Sequence, residues 1–258
     1  MTATPVRPWA PPGQARRSWV EQVMGMPVSV AVRGPVHLLD GAAPHVEQVY
    51  ARLRRVDRVF STYRDDSDLV RVRRGEIGLD EAHPWLAEVA DLCARAEDVT
   101  DGLFSARAPA PGGGRVFDPT GLVKGWAVAT ASEQLRLVPG VQHLVDAGGD
   151  VVAGTGTGLA GPVPPWRVGI EDPADRTRVA RVVEVARGAV ATSGAAARGD
   201  HVYDPRSGTA ISPAGSASVV GPDLLWADVW ATAAYVDPVA VSALLPRRAP
   251  GYELVVLG

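Results

Sequence analysis

Asparagine is absent from this chain of 258 residues, and lysine occurs once, at Lys124, against 25 arginines. Such a bias puts arginine wherever either residue serves. A lysine kept in that background marks a position where arginine would not serve, with chance as the alternative. Cysteine also occurs once, at Cys93, so no intrachain disulfide can form. Its apolar surroundings, Leu86 to Ala96, point to a buried, inert thiol. The net charge of -3 offers no basic surface for a nucleic acid or an anionic membrane. Residues 1–18 hold four prolines and three arginines and no apolar run. They do not read as a signal peptide or a membrane anchor. The expectation is a disordered tail over 1–18, a single domain over 19–258, and a cytoplasmic protein without membrane insertion.

What is there is ordinary globular material, 46% hydrophobic and 21% charged. Val28, Val30 and Val32 alternate, and the bend Met24-Gly25-Met26-Pro27 divides Trp19 to Val32 into two short strands. Val46, Val49, Leu53, Val56 and Phe60 recur at helical spacing. Further helices are expected over Ser67 to Arg74, Pro84 to Ala96, Gly125 to Leu137 and Asp223 to Tyr235. The stretch Asp98 to Arg115, rich in Gly, Pro and Ala, is expected to loop. Strands are expected at Leu144-Val145, Val151-Val152, Trp166 to Ile170, Arg178 to Val185, Ala189 to Ala191, Ser216 to Val220 and Glu253 to Leu257. Strands in runs, without regular alternation with helices, favour an α+β layered fold over a doubly wound sheet.

Several motifs admit a plain reading and a functional one. Gly154-Thr155-Gly156-Thr157-Gly158 follows a strand, but prolines 162, 164 and 165 stand where a dinucleotide fold needs a helix. A hairpin turn is the better reading. Ser193 with His201 lacks the G-x-S-x-G elbow of a serine hydrolase. Asp118-Pro119-Thr120-Gly121-Leu122-Val123-Lys124-Gly125 is a turn leading into a helix whose start carries a cation. That suits an anion, and equally a capped helix with a solvent-facing lysine. Asp146-Ala147-Gly148-Gly149-Asp150 is a glycine pair between acids and between strands. Asp228 and Thr232, four apart on a helix, share a face. A carboxylate and a hydroxyl are hard-oxygen ligands suited to Mg²⁺, or else a satisfied polar pair.

Taken in order, these pieces resemble the FAD:protein FMN transferase (ApbE) family. Met24-Gly25-Met26-Pro27 is similar to its M-G-T-P. Phe60-Ser61-Thr62-Tyr63 with Ser67 and Leu69 is similar to its F-S-x-Y-x-x-x-S-x-L, and Thr100 to Phe104 to its T-x-G-x-F. Asp118 to Gly125 is similar to D-x-x-G-x-x-K-G, Ala147 to Asp150 to A-G-G-D, and Ala191 to Gly194 to A-T-S-G. His201 to Gly208 is similar to H-x-x-D-P-x-T-G, with Ser207 for Thr, and Ala227 to Ala231 to A-D-x-x-A. Each motif alone is weak; the ordered series is specific.

The resemblance implies a T-fold-like domain with mixed or antiparallel sheets and packed helices. It implies an enzyme that cuts FAD and transfers FMN to a Ser or Thr hydroxyl of a separate flavin-accepting protein, releasing AMP. Asp228, Thr232 and the carbonyl of Gly121 would hold Mg²⁺. Met24, Tyr63, Asp118, Gly121, Lys124, Asp150, Ser193 and Gly194 would contact the cofactor. His201 would be the base, and Lys124 would act beside the phosphates. Family targets carry an acceptor resembling D-G-x-S-G-A-T. The alternatives with the same site are an FAD pyrophosphatase and a flavin-binding protein without turnover.

Overall fold

The structure is a computed structural model that describes residues 14–110, 113–194, 202–211 and 214–258. Strands β1 (Gln14–Val23) and β2 (Met26–Pro35) form a hairpin paired from Gln14 opposite Pro35 to Val23 opposite Met26. Residues 14–18 are therefore strand, which corrects the expected tail over 1–18; residues 1–13 lie outside the described residues. Their polar sequence hid this, because ladder hydrogen bonds to β2, not burial, hold an edge strand.

Helices α1 (Val36–Leu39), α2 (Ala43–Phe60), α3 (Asp68–Arg73) and α4 (Trp85–Val99) follow. Then come a small hairpin of β3 (Arg107–Pro109) and β4 (Arg115–Phe117), and helix α5 (Thr120–Ser132). Strands β5 (Gln142–Ala147), β6 (Asp150–Thr155), β7 (Trp166–Glu171), β8 (Val179–Val185), β9 (Gly188–Gly194) and β10 (Ser216–Gly221) precede α6 (Leu224–Val236), α7 (Pro238–Arg248) and β11 (Glu253–Leu257). The main sheet runs β1-β2-β5-β6-β9-β10-β11, with every neighbour antiparallel.

The expected α+β layering is what the chain adopts. Alternation sends Val28, Val30, Val32, Val145, Ala191 and Val219 to one face, where they meet α2, α5 and α6 in the large core. The other face sends Ala31, Val151, Ala153 and Val190 against Trp166 and Val185 of the β7–β8 hairpin. Among the described residues no helix is long and apolar enough to cross a membrane. Cys93 is buried in the large core, and burial pushes its thiol up to about 12, as expected of an inert cysteine.

Some expected elements shift. Helix α5 begins at Thr120 rather than near Gly125, so Gly121 and Lys124 lie within its first two turns. Two glycines masked a helix that is buried almost all round. Helix α7 was not expected, although Asp237 caps it, accepting from the Ala240 N–H at 3.0 Å, and Pro238 opens it. The run Gly154 to Gly158 is not a hairpin turn: it lies beside residues 138–141, with Gly156 N–H donating to Val141 O at 2.8 Å. Its strand, β6, pairs with β5 and β9 rather than with β7.

Gly154 also makes room for a buried imidazole. A Cβ there would lie 2.5 Å from Nε2 of His143, its cross-strand neighbour. His143 is 2% exposed, its Nδ1 has no hydrogen-bond partner among the described residues, and burial, aided by the Arg136 charge, holds its pKa down to about 4. The unfolded chain takes up this proton near an ordinary ~6.5. The fold therefore loses stability as pH falls from about 6.5 towards about 4, by about 3 kcal/mol from this residue. Replacing His143 by Leu removes that loss. Denaturant unfolding at about pH 7 and about pH 4 should show the variant gaining on the native protein at the lower pH; an unchanged gap would refute the buried neutral imidazole.

Candidate functional site

The hairpin topology brings distant segments to one end of the main sheet. The β1–β2 turn places Met24 and Gly25 there, both with positive φ (55° and 73°). The β5–β6 turn places Gly148 and Gly149 beside it, also left-handed, with Gly148 against the Met26 sulfur. The end of β9 adds Ser193 and Gly194, paired to Ala217 and Ser216 of β10. A cleft of about 390 Å³ opens at this end, lined by Val23, Met24, Gly25, Arg54, Arg58 and Arg64.

Two helices close the face of the sheet at the same end, and a glycine lets them meet. A Cβ on Gly125 would lie 2.8 Å from the Asp228 Cβ and 3.1 Å from the Leu224 carbonyl oxygen, so only glycine lets α5 approach α6 this closely. The Gly125 N–H donates to Asp228 Oδ2 at 3.0 Å. That N–H is the one a regular helix directs at the carbonyl four residues back, Gly121. The buried Asp228 carboxylate therefore stands beside the Gly121 carbonyl. Gly121 is in turn backed by the Phe104 ring, 3.3 Å from where its Cβ would be.

One turn along α6, the Thr232 hydroxyl lies 3.3 Å from Ser193 Oγ. On the next strand position, Thr192 donates its N–H to Asp150 Oδ1 at 3.2 Å and pairs its hydroxyl with Ser218 Oγ at 2.7 Å. Asp150 Oδ2 forms an ion pair with the Lys124 ammonium. Burial first, then repulsion from Asp228, push the Asp150 carboxyl above the ordinary carboxylate range, while Lys124 and the Thr192 N–H pull it back. Two buried carboxylates thus lie close enough to repel, one paired with the Lys124 ammonium and the other accepting the Gly125 N–H. Nearby, burial also raises the Asp146 carboxyl, against the Gly149 N–H that its Oδ1 accepts at 3.0 Å.

The structure brings Gly121, Lys124, Asp150, Ser193, Asp228 and Thr232 together, with the Met24 and Gly194 segments at the same sheet end. Lys124 is not a solvent-facing lysine; it is 8% exposed. Asp150, expected at the cofactor, has a wholly buried carboxylate beneath Lys124. Tyr63, expected to pack on a ring, stands past the end of α2 and is 91% exposed. Asp118, also expected on the cofactor, spends its carboxylate on the Thr120 N–H at 3.1 Å and on Arg73 at 3.3 Å. His201 lies outside the described residues. The segment after it is anchored by Tyr203, whose hydroxyl donates to the Ser105 carbonyl at 2.7 Å, and by Arg206, which bridges Asp204 and Asp237.

Two residues were missed. Phe104 packs under Gly121, delivered there by a left-handed turn at Asp101 and Gly102 and by Thr100, whose hydroxyl accepts the Phe104 N–H at 3.0 Å. The motif Thr100 to Phe104 marked the place but not its packing role. Arg73 gave no signal, being one arginine among 25.

A family pattern matches residues 24–110 and 110–256, nearly the whole chain, and its description is "ApbE family". This chain belongs to the ApbE family. Solved ApbE structures share its fold. The ApbE protein of Thermotoga maritima matches with a TM-score of 0.73 at 20% identity, covering 94% of each chain. A flavinyl transferase ApbE of Pseudomonas stutzeri matches with a TM-score of 0.71 at 21% identity over 95% of each chain. The flavin transferase ApbE of Vibrio cholerae matches with a TM-score of 0.73 at 20% identity, over 95% of this chain and 98% of that one. No curated protein matches the sequence.

The ApbE signature K-G at Lys124-Gly125 thus has a packing reason for its glycine. Gly125→Ala should destabilise the fold by about 1–3 kcal/mol despite alanine's better helix propensity, because the atoms it meets include the α6 backbone. Thermal unfolding checks this; a stabilised variant would mean that α5 and α6 can part without cost.

Proposed function

We propose that this protein is an FAD:protein FMN transferase that works with Mg²⁺, moving FMN from FAD to a Ser or Thr hydroxyl of a separate protein and releasing AMP. Membership of the ApbE family and the flavin transferases among its structural relatives support the reaction class. The observation that carries the reading is the buried Asp228 carboxylate accepting the Gly125 N–H, which a regular helix aims at the Gly121 carbonyl, with Thr232 one turn further on.

The donor set fits the metal. Carboxylate, carbonyl and hydroxyl are hard oxygens, and the buried Asp228 carboxylate accepts from a neutral backbone N–H, which does not cancel its charge. Among the described residues no three His, Cys, Asp or Glu side chains form a ready metal cage. That suits Mg²⁺, which takes few protein carboxylates and completes its shell with phosphate oxygens and water. Asp228, Thr232 and the Gly121 carbonyl would hold it, and when bound it would offset the charge of the diphosphate.

The chain's own groups supply the rest. Lys124, held by Asp150, sets a point charge in the first turns of α5, at the end of the helix whose dipole favours an anion. The Met24 turn, Ser193 and Gly194 would border the flavin nucleotide. His201 would take the proton of the acceptor hydroxyl. The hydroxyl oxygen bonds to the FMN phosphorus, the bridging P–O bond breaks, and AMP leaves with its electron pair.

Protein, FAD and Mg²⁺ incubated with and without a peptide carrying D-G-x-S-G-A-T test the assignment. Flavinylated peptide is the expected product; free FMN would indicate a pyrophosphatase, and neither product a flavin-binding protein. Asp228→Ala should abolish Mg²⁺-dependent transfer, measured as rate against Mg²⁺ concentration alongside thermal unfolding. A variant that melts early yet keeps a normal Mg²⁺ curve would sink the metal assignment. His201→Ala should keep FAD affinity and lose about 10²–10⁴-fold in rate. Transfer at the native rate would remove His201 as the base.

A further inference from the structure

Three arginines close α3 and its cap, and they behave differently. Arg71 pairs with Glu76, and Arg74 with Asp65 and Glu76, all on the surface. Arg73 turns inward, its side chain 19% exposed. It reaches across 44 positions of sequence, where its Nε donates to the Phe117 carbonyl at 2.7 Å. Its Nη2 lies 3.3 Å from Asp118 Oδ1. One guanidinium thus hydrogen-bonds the last residue of β4 and forms an ion pair, without hydrogen-bond geometry, with the residue after it.

Those two residues deliver the chain into α5. Asp118 is itself tied down, its N–H donating to the Ala106 carbonyl at 2.7 Å and its Oδ1 accepting the Thr120 N–H at 3.1 Å. Thr120 is the first residue of α5, and Gly121 the second. The Gly121 carbonyl is the backbone atom that stands beside Asp228.

We propose that Arg73 is a positioning residue for the site: through Phe117 and Asp118 it sets where the first turn of α5 lies, and so where the Gly121 carbonyl and Lys124 meet Asp228. Asp118 in this arrangement acts through the helix start rather than on the ligand. The physical reason is the planar fork. A guanidinium spans a carbonyl and a carboxylate at fixed separation, which the single ammonium of a lysine cannot do. Partners one step behind the ligands of a metal often set its affinity as strongly as the ligands themselves. The inference rests on the proposed Mg²⁺ and FAD site.

The test is FAD binding, followed by flavin fluorescence without acceptor at a series of Mg²⁺ concentrations, with thermal unfolding on the same samples. Arg73→Met should raise both the FAD Kd and the Mg²⁺ concentration for half effect by roughly 10- to 100-fold. Arg73→Lys, which keeps the charge near Asp118 but loses the fork, should fall between Arg73→Met and the native protein. Arg71→Met, next door on the same helix, should follow the native curves. If Arg73→Met melts earlier yet keeps both native curves, its role is structural only and the inference is overturned. If Arg73→Met does not fold, Arg73→Lys decides: native curves for it also overturn the inference. A native protein that binds FAD without any dependence on Mg²⁺ would instead overturn the proposed function, and the inference with it, so the two failures read differently.

Discussion

The buried hydrogen bond from the Gly125 N–H to the Asp228 carboxylate is the contact on which the rest of the site depends. A carboxylate with so little access to water needs a donor, since an unpaired buried charge costs several kcal/mol. The donor here is backbone, and backbone can come this close only where one helix carries no side chain. Glycine at 125 and aspartate at 228 are therefore one solution to one problem. Asp228 draws on an N–H that a regular helix aims at the Gly121 carbonyl, so the packing contact ties α6 to the first turns of α5.

The antiparallel sheet supplies the other half of the geometry. Each β-hairpin returns the chain to the same end, so the β1–β2 turn, the β5–β6 turn and the end of β9 meet although their residues lie far apart in sequence. The positive-φ turns at Met24-Gly25 and Gly148-Gly149 are the tight reversals that let this happen. Behind the surface runs a second layer: Thr192 holds Asp150, Asp150 holds Lys124, and Phe104 backs Gly121. These residues do not face solvent, yet they decide where the charged and polar atoms of the surface stand. The single lysine of the chain sits within that layer, where a compact ammonium fits beneath the helix and a broad guanidinium fork would need more room.

Much of this architecture was readable in advance because it rests on local rules. Period-2 valines marked β2, the helical spacing of Val46 to Phe60 marked α2, and the apolar run Leu254 to Leu257 marked β11. Ordered short motifs marked the family. The failures have equally physical causes. Gln14 to Ser18 carry no apolar pattern, because an edge strand is held by its neighbour. Helix α5 looked like a loop at its start because its glycines serve a helix crossing that no local rule can see. The inward turn of the Asp150 carboxylate to Lys124 left no trace in its motif, because the partner lies on another element.

Composition, periodicity and motif order by themselves determined that this chain is an α+β protein of one family, since those properties depend on residue type and near-neighbour spacing. Which of the candidate residues line the surface and which stand behind it was decided only by tertiary structure. Asp118 and Asp228 are both aspartates at helix-bearing motifs, and nothing local separates them. One is gripped by an arginine 45 positions earlier and spent on starting a helix. The other is pressed against the backbone of a helix 103 positions away and left beside a carbonyl. Such contacts cross the fold between residues that share no sequence window, so only the packed chain assigns their roles.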